Sequence, residues 1–275
     1  MEIAVIILHG LLSFLAPVGF ALDTAIESNV RRRFVDAEVV DVRIDNTPIH
    51  QALSGKVDRV RVAMRGVEPV EGLRIAAFDL ETDPLYIDIH RLQQDISNFR
   101  RAFRQPVQGA FRLVLTEDDL NRAFSSPRFA DRLQQAVERI SASIPGAGQQ
   151  NYQLEDLAID FQENNRLQIQ IDLSGTDTDT AEITRLKVQI ETGLVMSNGY
   201  YLELIEPEIL LDDRPLPPFV ADIVSNALGD RLDLQTLQTD GMLLRLLQLE
   251  IESDRLELAA FVRLEPENLP PAPEE

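Results

Sequence analysis

From about residue 36 to residue 264, apolar and polar residues alternate along most of this chain. Val40, Val42 and Ile44 alternate with Asp41, Arg43 and Asp45, and Val60, Val62 and Met64 alternate with Arg59, Arg61 and Ala63. Leu85, Ile87 and Ile89 alternate with Tyr86, Asp88 and His90, and Phe111, Leu113 and Leu115 follow. The second half is cleaner. Leu167, Ile169, Ile171 and Leu173 face away from Gln168, Gln170 and Asp172, and Leu186, Val188 and Ile190 oppose Lys187, Gln189 and Glu191. Leu202 and Leu204 precede Ile209 and Leu211. Leu247, Leu249 and Ile251 then oppose Gln248, Glu250 and Glu252, and Leu256, Leu258, Ala260, Val262 and Leu264 share one face. A side-chain period of two predicts antiparallel strands with one dry face and one wet face.

Short polar breaks separate these runs. Glu163-Asn164-Asn165, Ser197-Asn198-Gly199 and Ser253-Asp254 read as hairpin turns, the second carrying the Asn-Gly pair that favours positive φ. Successive hairpins without intervening helices indicate a meander rather than a βαβ fold. Two stretches change to helical period. Thr116 stands as a hydroxyl N-cap before Glu117, Asp118 and Asp119, whose charges suit the positive end of a helix dipole. Leu120, Ala123, Phe124, Phe129, Leu133, Val137 and Ile140 continue that period to Pro145-Gly146. The second stretch begins near Pro217-Pro218, carries Phe219, Ile223 and Leu228, and ends at Gly229.

The N-terminus follows neither period. Residues 3–22 (IAVIILHGLLSFLAPVGFAL) hold no formal charge, and as a helix this segment matches the apolar thickness of a bilayer. Three readings stand side by side: a cleaved signal peptide, a retained membrane anchor, or a buried N-terminal helix. Met1-Glu2 lacks the basic residues of an export signal, and Arg31-Arg32-Arg33 follow the apolar run on the side that the positive-inside rule keeps cytoplasmic. Leu22, Ile26, Val30 and Phe34 then mark a helix with one narrow apolar stripe. The expected organisation is a hydrophobic segment, 1–22, a β-rich body, 23–264, and an acidic Pro-rich tail, 265–275. The SIPGAGQQ stretch, residues 143–150, is the best break within the body. It divides it into halves, 23–145 and 151–264, which share no residue-level repeat.

Composition narrows the function classes. With 44% hydrophobic and 26% charged residues the chain is globular in composition; with no Trp and 6% aromatics its core rests on Leu, Ile and Val. The net charge of −20 argues against nucleic acid, whose phosphates are bound by neutralising Lys and Arg. The absence of cysteine excludes disulfides, thiolate zinc sites, iron–sulfur clusters and thiol nucleophiles. The three histidines, His9, His50 and His90, lie far apart, and no metalloprotease, phosphate-loop or nucleophile-elbow motif occurs. No metal, cofactor or catalytic residue is therefore assigned. Lys56, Arg59 and Arg61, with Arg65 nearby, form a basic stripe. It reads either as cross-strand pairing with acids such as Asp41, Asp45 and Asp79, or as a contact for lipid headgroups.

Four segments resemble a known family. Residues 51–60 (QALSGKVDRV) look like the first signature of the LmeA-like phospholipid-binding family, and residues 76–82 (AAFDLET) with 85–88 (LYID) are similar to its next strands. Residues 114–121 (VLTEDDLN) resemble its strand-to-helix junction, and residues 214–217 (RPLP) its late turn. The resemblance runs in order from about residue 22 to 264. It implies a non-enzymatic envelope protein that binds phospholipid, and an α+β fold, mostly antiparallel β, with long curved meander sheets wrapped on helices as in tubular lipid-binding domains.

Facing parity supplies the candidate lipid wall: Val60, Val62, Met64, Leu113, Leu115, Leu167, Ile169, Ile171, Val188, Ile190, Leu247, Leu249, Ile251 and Leu258. Lys56, Arg59 and Arg61 are the headgroup candidates. The expected partners are phospholipid or a related lipid and a membrane, with no nucleic acid. The expected location is the cell envelope, on the periplasmic side, secreted or membrane-anchored, with association at the cytoplasmic face of the membrane as the alternative. The competing reading is a structural or scaffolding envelope protein with a solid core and no ligand.

Overall fold

The computed structural model describes residues 34–45, 55–88, 90–91, 99–143, 150–177, 183–216, 234–235 and 241–267. The apolar N-terminal segment, the helix expected after it, the helix expected near Pro217, and residues 268–275 of the tail lie outside the described residues.

Strands dominate, as the alternation requires, and among the described residues every pairing is antiparallel. The first sheet runs in the order β1 (Asp36–Asp45), β3 (Arg59–Val70), β4 (Leu73–Thr82), β6 (Val107–Thr116), β13 (Arg255–Leu264) and β12 (Met242–Ile251). The second is a meander of β7 (Gln150–Gln162), β8 (Arg166–Asp177), β9 (Ile183–Ser197), β10 (Tyr201–Leu211) and the short β11 (Arg214–Pro215). A two-stranded ladder joins β2 (Lys56–Val57) to β5 (Leu85–Tyr86), so among the described residues the alternation that begins at Leu85 yields this short strand and a bridge from Ile87 to Phe103. Both sheets are open.

The expected turns are made by the expected residues. Asn164 and Asn165 adopt φ of 62° and 57°, and Asn198 and Gly199 adopt 54° and 76°, matching the positive φ that tight hairpins need. A side chain at position 199 would also strike the Leu246 carbonyl, which leaves glycine as the fitting residue. Sheet membership does not follow the break near residue 150. The C-terminal hairpin β12–β13 returns to the first sheet, with Leu258 opposite Leu113 and Ala260 opposite Phe111.

The main core lies on one face of the first sheet, where Val60, Val62, Met64, Ile75, Phe78, Leu80, Leu244, Ala260 and Val262 are buried. The opposite face is a ladder of opposed charges. Arg59 pairs with Glu81 at 3.0 Å, Arg65 with Asp79 at 2.7 Å, Arg61 with Asp45, and Arg112 with both Asp79 and Glu257. Exposed pairs contribute about 0–1 kcal/mol each, so the ladder sets register more than it stabilises.

The Arg112–Glu257 pair is the best placed of them, with Arg112 Nη2 donating to Glu257 Oε2 at 2.6 Å. That bond holds the Glu257 carboxyl below the usual glutamate range. A group whose pKa is lowered by folding stabilises the fold above its ordinary value and loses that contribution as pH falls through the folded value. Glu257→Gln should therefore be less stable than the wild type at neutral pH. Denaturation along a pH series should show the difference closing below the ordinary value of about 4.3.

Two described helices follow β6: α1 (Glu117–Phe124) and α2 (Pro127–Ser143). The expected single helical stretch is broken at Ser125-Ser126, immediately before Pro127, where proline's ring disfavours helix in the residue preceding it. Neither helix is long and apolar enough to cross a membrane.

Candidate functional site

The register of the second sheet aligns its apolar residues into four rows. Phe161, Leu167 and Thr192 stand opposite one another in the first row, and Ile159, Ile169, Ile190 and Ile209 in the second. Leu157, Ile171, Val188 and Leu211 form the third, and Leu154, Leu173 and Leu186 the fourth. Rows two residues apart along a strand are about 7 Å apart, so the wall extends about 20 Å. Its reverse face carries Gln168, Gln170 and Asp172 beside Lys187, Gln189 and Glu191, as the alternation predicts.

Cover falls off along this wall. All three residues of the first row are buried, because Phe161 and Leu167 cluster with Leu249 and Ile251 of β12 and with Leu120 of α1. The one polar member, Thr192, is 1% exposed and donates its hydroxyl to the Ile205 carbonyl at 3.1 Å, where β10 bulges at Glu206-Pro207. In the second row Ile190 and Ile209 are buried, whereas Ile159 and Ile169 are half-buried. Every residue of the third and fourth rows is half-buried. A sheet face that is apolar but for Thr192, and only partly covered beyond its first two rows, is a surface suited to an apolar ligand.

The sequence-derived candidates divide between this wall and the closed core. Val60, Val62 and Met64 are 1%, 4% and 0% exposed within the main core, and the partly buried Leu113 and Leu115 pack on it. Leu258 lies between that core and the cluster joining the sheets, to which Leu249 and Ile251 belong. Leu167, Ile169, Ile171, Val188 and Ile190 are on the wall of the second sheet. Leu247 departs from its expected facing. A bulge between Leu246 and Gln248 inserts it as an extra residue, and it turns outward with 54% exposure. The wall also includes Leu157, Ile159, Ile209 and Leu211, which parity along single strands did not single out. In β7 a second bulge, between Leu154 and Asp156, reverses the parity of Leu157 and Ile159 relative to Leu154, whereas Ile209 and Leu211 gain their place on the wall from the pairing of β10 with β9.

The headgroup candidates are held by acids. Arg59 and Arg61 have the cross-strand partners given above, and Lys56 lies 3.5 Å from Asp58. Arg59 and Arg61 thus pair across strands, whereas Lys56 meets an acid two residues along its own chain.

The LTEDDLN segment performs a specific task at the sheet edge. Thr116 caps α1 by accepting the Asp119 N–H at 3.2 Å. The Glu117 carboxylate accepts the Phe161 N–H at 2.7 Å. Asp119, 2% exposed, binds Arg74 at 2.9 Å and Arg122 at 3.1 Å. Glu38 and then Asp119 hold the Arg74 guanidinium above its already high pKa. Asn121 bonds both backbone groups of Ile159, donating to its carbonyl at 2.8 Å and accepting its N–H at 2.7 Å. Farther along, Gln134 of α2 donates to the Tyr152 carbonyl at 2.9 Å and accepts the Leu154 N–H at 2.8 Å. Side-chain amides thus take the place of a neighbouring strand along β7, satisfying an edge that would otherwise be open. Asn165 does the same for β12 by accepting the Ile251 N–H at 2.7 Å, which ties the two sheets together. The acids read from the sequence as cap residues are cap and anchor at once.

Comparison with known proteins adds three findings. The model of the LmeA-like phospholipid-binding family matches residues 16–261, nearly the whole chain. No curated protein gives a significant match. Among solved structures, the crystal structure of lipopolysaccharide binding protein aligns over 85% of this chain and 86% of that chain at 11% identity, with a TM-score of 0.19, too low to establish a shared fold.

Proposed function

The chain belongs to the LmeA-like phospholipid-binding family, and from that premise we propose that it carries phospholipid, without catalysis, in the bacterial cell envelope, with the acyl chains lying on the wall of the second sheet. The observation that carries this reading is that the third and fourth rows are aliphatic throughout and yet only half-buried. Each methylene buried on such a wall contributes about 0.8 kcal/mol, so an acyl chain laid along it needs no specific polar contact to bind. The rows hold no titratable side chain, so nothing in the wall itself is equipped for acid–base chemistry. Residues 3–22 support a location at a membrane, whether that segment anchors the chain or directs it there.

Mass spectrometry of lipid extracted from the purified full-length chain tests this, with an equally acidic unrelated protein as control. Near-stoichiometric phospholipid is the expected result. A well-folded protein free of lipid would favour the scaffolding reading instead.

A further inference from the structure

We propose that the second-sheet wall gauges acyl-chain length: tails enter at the Leu154–Leu173–Leu186 row and stop against Phe161 and Leu167. This inference rests on the function proposed above and adds to it a direction and a limit.

The gradient of cover sets the direction. Phe161 and Leu167 lie in a cluster with β12 side chains, so the wall is shut at that end. Two rows away, Ile171 and Val188 belong to a cluster drawn, among the described residues, from the second sheet and Leu216. Beyond the fourth row the lining turns polar. Tyr152, Gly175 and Thr184 stand opposite one another, and the Tyr152 ring lies against Gly175, where an added Cβ would sit 3.1 Å from its Cε1. Thr184 is exposed.

The dimensions agree. One leaflet's tails span about 15 Å, half of a bilayer's hydrocarbon core. A tail resting on the first row therefore ends between the third and fourth rows, given about 7 Å per row. Its glycerol then falls at the fourth row, and the headgroup extends from there toward the polar row of Tyr152 and Thr184, about 28 Å from the first. A tail entering from the other end would have to displace Leu249 and Ile251 from a packed interface.

A homologous series of saturated lysophosphatidylcholines, kept below their critical micelle concentrations, provides the test with the full-length chain. Affinity should rise about fourfold per added methylene until the tail meets Phe161, and then level off. Phe161→Leu should move the plateau to longer homologues. Ile171→Trp, at a half-buried position of the third row, should move it to shorter ones and weaken the long homologues about tenfold or more. A plateau at the same length in the wild type and both variants, or affinity that climbs without levelling, overturns the gauge while leaving lipid binding intact. No binding by the wild type at any length removes both the gauge and the function beneath it.

Discussion

Aspartate in place of Ile171 is expected to lower phospholipid retention by more than tenfold while the protein stays folded. Ile171 is at the centre of the third row, opposite Leu157 on one side and Val188 on the other. It is half-buried, so in the lipid-free protein a carboxylate there keeps contact with water. With an acyl chain laid across it, the same carboxylate must give up its hydration, and burying an unpaired ion costs several kcal/mol. Tenfold in affinity corresponds to only about 1.4 kcal/mol, so the effect should be large. Gln170→Asp is the matched control, because it places the same charge one residue away on the wet face. Lipid extracted from each variant and quantified against protein decides the matter. Retention by Ile171→Asp equal to that of Gln170→Asp would show that the acyl chains do not lie on this wall.

The largest stability effect is expected at Asn121. Asn121→Leu removes the donor and the acceptor that satisfy both backbone groups of Ile159. Each stranded polar group costs about 1–3 kcal/mol when buried. Because Asn121 is only half-buried, the loss should fall near about 2–3 kcal/mol in total. Asn121→Asp should recover part of it, since a carboxylate still accepts the Ile159 N–H but cannot donate to the carbonyl. Urea denaturation of the three proteins measures the order wild type, Asn121→Asp, Asn121→Leu. Equal midpoints would mean that the edge of β7 is satisfied by water and that α1 is held by its other contacts.

The legible and illegible parts of the site differ for identifiable reasons. The dry faces of β8, β9 and β13, and of β3 from Val60 to Met64, were readable because alternation runs through them. Leu247 was misread because a single inserted residue reverses parity without any change in composition. Leu157 and Ile159 were passed over for the same reason in β7. Thr116 was correctly read as a cap, since capping is settled within one helical turn. The bonds of Glu117 to Phe161 and of Asn121 to Ile159 span 44 and 38 residues, and no local pattern announces them.

The amino-acid sequence by itself determined the antiparallel strands, the Asn-rich turns, the cap at Thr116 and the aliphatic make-up of the interior, because each depends on neighbours a few residues apart. The order of residues 51–217 also carried the family, through motifs whose spacing survives in the chain. Tertiary structure alone decided that the hairpin of residues 242–264 joins the first sheet, that Val60, Val62 and Met64 lie in a closed core, and that the rows from Leu157 to Leu186 remain partly open. One side of a strand is apolar by sequence. What is packed against that side depends on an element tens or hundreds of residues away, and burial is a property of the pair.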